Sequence, residues 1–262
     1  ICFSVRIYPK DADKDQVLQL MKQQIDDLLL ESGIDKNRLL GVGIGVPGVI
    51  DYKNNYSVFF ERINGWENVL IGDIIQEYIG KPVYICNDVN LISWAERKVA
   101  HLEDIKNMLY IIIRSGIGMA IWNDGSLMQG EMGNSGRIGH MTVDKNGLQC
   151  KCGNRGCLGL YTSEKSMIRM YGELTGKELK WAGELFPLAE AGDAAALQVF
   201  ETCGRYLGTG IVNVANLFDI SEVVLSTSFD SSYILKSAQY ALDARKMNTI
   251  RREVKVRKGL LQ

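Results

Sequence analysis

At 262 residues the chain is longer than one ordinary domain and shorter than three, which predicts one large or two modest domains, each able to bury a core, with two as the working count. Its 30 Lys and Arg nearly balance 31 Asp and Glu, so the composition points to neither a nucleic-acid-coating face nor a membrane-binding one. No apolar run reaches the roughly 18 residues that cross a bilayer, and the start lacks a charged-then-apolar leader, so the sequence reads as soluble and cytoplasmic.

Ile1–Tyr8 reads as a strand, and Val17, Met21, Ile25, Leu28 and Leu29 repeat at helical spacing between Asp15 and Ser32, with Gly33 as the stop. Leu39–Val46 alternates apolar residues with glycine and breaks at Pro47-Gly48, as a buried strand entering a turn does. Val69–Ile79 reads as a helix, Val83–Cys86 as a short buried strand running into Asn87-Asp88, and a helix follows from Asn90 towards Ala100. This alternation predicts mostly parallel sheet with ligands at the carboxyl ends of strands, where Asn87 and Asp88 sit.

A second sheet is expected from Met108–Ile113, a turn at Ser115–Gly118, and Met119–Trp122 closed by Asn123-Asp124-Gly125. The boundary is therefore placed near residue 100: an N-terminal α/β domain over 1–99, its first strands missing, and a C-terminal α/β domain over 100–262. Met128–Gly156 is glycine-rich and irregular, helices resume at Ser163–Thr175 and Ala194–Ala215, and Glu222–Leu225 and Val254–Arg257 read as late strands. An opening without Met and strands at both extremes suggest that both ends are incomplete.

Three of the six cysteines crowd into Cys150–Cys157, and His140 lies a short loop upstream. One His and three Cys within eighteen residues match what tetrahedral zinc requires, and no acidic residue stands ready to open the shell, so His140, Cys150, Cys152 and Cys157 are read as a closed, structural zinc site. The competing readings are free thiols beside a core histidine, or a local disulfide with one thiol left over. Cys2, Cys86 and Cys203 lie in apolar runs and read as small core residues, and His101 as a surface histidine.

Several stretches, in order, resemble the ROK proteins (repressors, open reading frames and sugar kinases) over about residues 35 to 225. Gly43-Ile-Gly-Val-Pro-Gly-Val-Ile-Asp51 is similar to the early glycine-proline motif of that family, Asn87-Asp-Val-Asn90 to its sugar-site motif, and Arg114-Ser-Gly-Ile-Gly118 to its second phosphate loop. Gly139-His140 and Cys150-x-Cys-Gly-x-x-Gly-Cys157 resemble its zinc motif, the most specific of these. The resemblance implies an actin-like ATPase (ribonuclease H-like) fold of two α/β domains around a cleft, with a dimer surface on the C-terminal domain, assembled as a homodimer or homotetramer. It also implies that Asp88 is a general base, vestigial here, that Asn64, Asn87, Asp88, Arg137 and His140 face a ligand, and that Ser115, Gly116 and Gly118 form a phosphate loop. Asp88 alone is ambiguous, because Asx residues also cap helices in strand-to-helix turns.

The departures from the family pattern carry as much information. Its E-x-G-H motif appears as Arg137-Ile-Gly-His140, and the Glu after the last zinc cysteine appears as Gly159, so two sugar-gripping carboxylates are missing. A guanidinium only donates, which suits an acidic or phosphorylated sugar unless Arg137 turns outward or pairs with Glu131. The glycine pair expected after Val223-Val-Leu225 is Ser226-Thr227-Ser228, whose side chains crowd the adenosine face. The expectation is the effector-binding portion of a ROK transcriptional regulator, with a sugar or sugar-phosphate effector and DNA bound through a segment absent from this chain. The alternatives are an ATP-dependent sugar kinase and a scaffold that binds no sugar at all.

Overall fold

The computed structural model describes residues 2, 4–245 and 252–261, which divide into two compact units, Ile1–Leu91 with Gln129–Asn134 and Ile92–Met128 with Ser135–Gln262. The first unit contains α1 (Lys14–Ser32), β1 (Val42–Val46), β2 (Val49–Asp51), β3 (Tyr56–Phe59), β4 (Glu67–Val69), α2 (Ile71–Ile79) and β5 (Val83–Asn87), and α3 (Asp88–Val99) begins in it and ends in the second. Asp13 starts α1: its side chain accepts from the Gln16 backbone N–H while the Gln16 side chain returns to the Asp13 N–H, a reciprocal cap. β1 and β5 pair in parallel, and β2, β3 and β4 form an antiparallel meander. The core of this unit gathers Ile50, Trp66, Ile71, Ile75 and Ile79, and the Trp66 indole N–H donates to Ser57 Oγ at 2.9 Å, satisfying both buried groups.

The second unit is built on β6 (Met108–Ile113), β7 (Ile117–Asn123), β8 (Ser126–Leu127), α4 (Gly159–Thr162), α5 (Glu164–Thr175), α6 (Leu185–Glu190), α7 (Ala194–Phe218), β9 (Glu222–Thr227), α8 (Ser232–Asp243) and β10 (Lys255–Lys258). Its sheet has the order β10-β9-β6-β7-β8, with β10, β9 and β6 parallel and the β7–β8 ribbon antiparallel. The continuous apolar run Met108-Leu-Tyr-Ile-Ile-Ile113 is explained by its place: every residue of β6 is buried, as in a strand covered on both faces. Parallel pairing extends to three strands of this sheet, and the hairpins supply the antiparallel remainder. The opening residues that can be described, 2 and 4–8, form no strand, whereas Ile1 and Phe3 of the expected Ile1–Tyr8 strand lie outside the described residues.

Two features hold the second unit together. Glu96 on α3 is 1% exposed, and its two carboxylate oxygens accept the backbone N–H groups of Leu260 (2.7 Å) and Leu261 (2.9 Å), tying the chain beyond β10 to α3. Helices α7 and α8 approach so closely that a Cβ on Gly204 would stand 2.7 Å from the Ile234 carbonyl oxygen and one on Gly208 2.7 Å from that of Ala238. Backbone atoms on the far side cannot step aside, so Gly208→Val is expected to destabilise the protein by about 2–3 kcal/mol, read as a lowered midpoint of urea unfolding with an unchanged slope.

Candidate ligand site and metal centre

Residues 141–144 and 156–158 run antiparallel, with Thr142 facing Cys157, and are joined by Leu158 N–H to Met141 O and Val143 N–H to Gly156 O, both 2.8 Å. The intervening chain doubles back as a tight hairpin in which Cys150 N–H donates to Asn154 O at 2.8 Å. Gly156 permits this: its φ is +63°, and a Cβ there would stand 1.6 Å from the Asp144 carbonyl oxygen. The consequence is that His140, Cys150, Cys152 and Cys157 offer ligand atoms all within 4.8 Å of one another, a group that could hold a metal ion. Cys152 and Cys157 sulfurs lie 3.6 Å apart, close to the roughly 3.8 Å that separates two sulfurs bound tetrahedrally to one zinc, and Cys150 Sγ lies 3.9 Å from His140 Nδ1.

The donor chemistry fits a cation as well. The Asn154 backbone N–H points at Cys152 and holds its thiol at about 6, so one ligand is already a thiolate at neutral pH. Cys157 is fully buried, and burial pushes its thiol up to about 12. No carboxylate joins the four among the described residues, and all six cysteines are unbonded. Of the remaining three, Cys203 is buried and Cys86 half-buried, but Cys2 is exposed, against the expectation of a core residue. No helix or strand among the described residues includes Cys2.

The sugar-motif residues owe their placement to β1. At Gly45 a Cβ would meet Leu91 Cδ2 at 2.9 Å, so glycine lets the first turn of α3 lie against the strand. Asn87 then acts as the cap of α3: its Oδ1 accepts from Val89 N–H (3.1 Å) and Asn90 N–H (3.4 Å), and its Nδ2 donates to Gly48 O (3.3 Å). This assigns to Asn87 the capping role that left Asp88 ambiguous. Asp88 is half-buried, and its carboxylate makes no hydrogen bond or ion pair among the described residues. Sequence reasoning passed over Tyr52, whose hydroxyl accepts from the Asn87 backbone N–H (3.3 Å) and from Asn90 Nδ2 (2.9 Å) and so fixes the motif from beneath. No spacing rule links a residue just after β2 to one 35 positions later.

Arg137 is exposed and leads into the 3₁₀ turn Ile138–His140, so it shares one short segment with the metal-group histidine. Gly159 opens α4, and a Cβ there would stand 3.2 Å from the Gly139 carbonyl oxygen, tight for any side chain. The predicted phosphate loop is a turn at Arg114–Gly116, closed by Arg114 N–H to Gly116 O at 2.8 Å, with Gly118 inside β7 opposite Ile112. Ser226 and Thr227 are buried and donate to Leu261 O and Phe229 O at 2.5 Å, and Ser228, which donates to Glu164 Oε1 at 2.5 Å, is exposed. Two of the three hydroxyls expected to crowd a ligand face are thus turned into the protein. Asn64 is exposed in the loop before β4, where its carbonyl accepts from Lys14 N–H at 3.0 Å.

No helix among the described residues is long and apolar enough to cross a membrane. A xylose repressor of Bacillus spizizenii is 34% identical over 220 residues, which cover 84% of this chain and 53% of the repressor, so the chain spans about half the length of that relative. A glucokinase of Halalkalibacterium halodurans is 31% identical over 211 residues, 72% of this chain and 62% of the kinase. Among solved structures, a ROK family transcriptional regulator described as a homologue of the Escherichia coli MLC protein superposes with a TM-score of 0.86 at 26% identity, covering 98% of this chain and 68% of the other. These neighbours have the actin-like ATPase fold, the sequence profile of the ROK family matches residues 7–253, and the chain belongs to the ROK family.

Proposed function

We propose that this chain is the effector-binding and oligomerisation portion of a sugar-responsive ROK transcriptional regulator, with a structural zinc ion and a degenerate kinase site. One observation carries the reading: of the carboxylates that grip a sugar in kinases of this family, this chain retains the unengaged Asp88 but has Arg137 and Gly159 in place of two glutamates. A Cβ on Gly159 would stand 3.2 Å from the Gly139 carbonyl oxygen, so a restored glutamate requires that neighbour to shift by a few tenths of an ångström. Likeness to a xylose repressor supports a sugar effector, taken up by Asn64, Asn87, Asp88, Arg137 and His140, and DNA recognition is assigned to sequence outside these 262 residues. The protein acts in the cytoplasm as a homodimer or homotetramer, and the effector works by preferring one arrangement of the assembly, since only differential affinity shifts such an equilibrium.

The kinase reading has its own support in Asp88 and in the glucokinase relative, and ligand-dependent stability separates the two. In a thermal-shift assay xylose raises the melting temperature and ATP with magnesium does not; stabilisation by ATP together with ADP release in the presence of sugar would reverse the assignment. Tyr52→Phe removes the acceptor for Asn87 N–H and Asn90 Nδ2, so it is expected to weaken xylose binding by roughly tenfold at a cost of about 1 kcal/mol in stability, as titration calorimetry and urea unfolding would report. For the metal, elemental analysis is expected to find one zinc per chain at pH 7.5, lost in Cys152→Ser. Because the ligands bind zinc deprotonated, protons compete and affinity falls with pH, so dialysis at pH 5 is expected to release the ion.

A further inference from the structure

We propose that the face of α7 beside the metal loop is a second ligand site, separate from the Asn87, Asp88 and Arg137 set, that takes a small dianion of the phosphate-ester class. Thr202, Arg205, Tyr206 and Thr209 recur at the spacing of one helix face, and Val143 from the metal loop and Arg245 just past the end of α8 complete a cavity of about 390 Å³. The close approach of α7 and α8 at Gly204 and Gly208 runs the two helices side by side towards this cavity. Its volume falls within the few hundred Å³ usual for small-molecule sites.

The lining chemistry selects the ligand. Among the six residues are two guanidinium groups, two threonine hydroxyls and a tyrosine, and no carboxylate. Arg205 has Glu201 at 3.6 Å, but both side chains are mostly exposed, so water screens the pair and leaves the guanidinium available. Arg245 Nη1 donates to Ala241 O at 3.2 Å, and among the described residues the group's other N–H donors are left for a ligand. A second acid near the cavity, Asp144, bears on Tyr206 from the metal loop, so a ligand's negative charge belongs on the arginine side and its uncharged body against the tyrosine. Planar guanidinium forks match phosphate oxygens in geometry, which a neutral sugar does not exploit.

The site is also wired to the metal group. Tyr206 stacks on Tyr161 with ring centroids 4.0 Å apart and planes 16° from parallel, and the Tyr161 hydroxyl accepts the Leu148 backbone N–H at 3.2 Å, two residues before Cys150. A ligand that immobilises Tyr206 therefore steadies the hairpin bearing Cys150 and Cys152. By linkage the coupling is reciprocal: the anion tightens metal binding by the factor by which the metal tightens anion binding.

Titration calorimetry with inorganic phosphate and with glucose 6-phosphate tests the assignment on the protein as purified. The wild type is expected to bind both, and the sugar phosphate more tightly because its ring reaches Tyr206. Arg205→Gln with Arg245→Gln should weaken both by at least tenfold, each single substitution by a smaller factor, and Arg137→Ala by nothing. Each substituted side chain is exposed, so unchanged metal content and melting temperature serve as the folding control. Phosphate should also slow chelator-driven metal release in the wild type and not in the double variant. Absence of phosphate binding in the wild type, its persistence in the double variant, or its loss in Arg137→Ala overturns the proposal.

Discussion

The antiparallel pairing of residues 141–144 with 156–158 is the constraint on which the second unit's chemistry depends. Thr142 faces Cys157 across it, and Gly156 is the residue that lets the two strips touch. That pairing fixes the end of the turn carrying Arg137 and His140, closes the hairpin that presents Cys150 and Cys152, and delivers Cys157 fully buried at the head of α4. Four ligand atoms that span eighteen residues of sequence thereby fall within 4.8 Å. An ion held there would replace the packing that a glycine-rich segment with few apolar side chains cannot supply, which is the usual reason for a structural metal.

The first unit solves a different problem. A phosphoryl-transfer site needs a carboxylate at the reacting hydroxyl, further acceptors to orient the sugar, and donors around the phosphates. Asp88 is delivered by a strand-to-helix junction that Gly45, Asn87 and Tyr52 hold in place, and on the proposed reading it is what remains of the acid that faces the sugar hydroxyl. In the second unit, Arg137 and Gly159 stand where the family pattern has glutamates. On the proposed reading recognition outlives catalysis, because binding needs a complementary surface whereas turnover needs every charge in its place.

Much of this was legible in the sequence, and what was not has identifiable physical causes. Helix α1, the buried run of β6, the long α7 and the His140 to Cys157 ligand set all announce themselves through periodicity or donor spacing, which are local properties. The short strands β2, β3 and β4 did not, since three or four residues acquire strand character only by pairing with one another. Val69 was read as the start of a helix and instead ends β4, with α2 beginning at Ile71. The helix α8 also went unremarked. Tyr52 and the capping role of Asn87 depend on contacts between elements distant in sequence. Conversely, hydroxyls expected to obstruct a ligand face turned out, at Ser226 and Thr227, to satisfy the backbone beside them.

The most direct test of the account is DNA binding by the full-length protein on an operator fragment, titrated with xylose while ADP formation is followed in the same samples with ATP and magnesium present. A regulator of the kind described here releases the fragment as xylose rises and forms no ADP above background. DNA affinity indifferent to every sugar tried, together with sugar-dependent ADP formation, would contradict it and return the chain to the kinases.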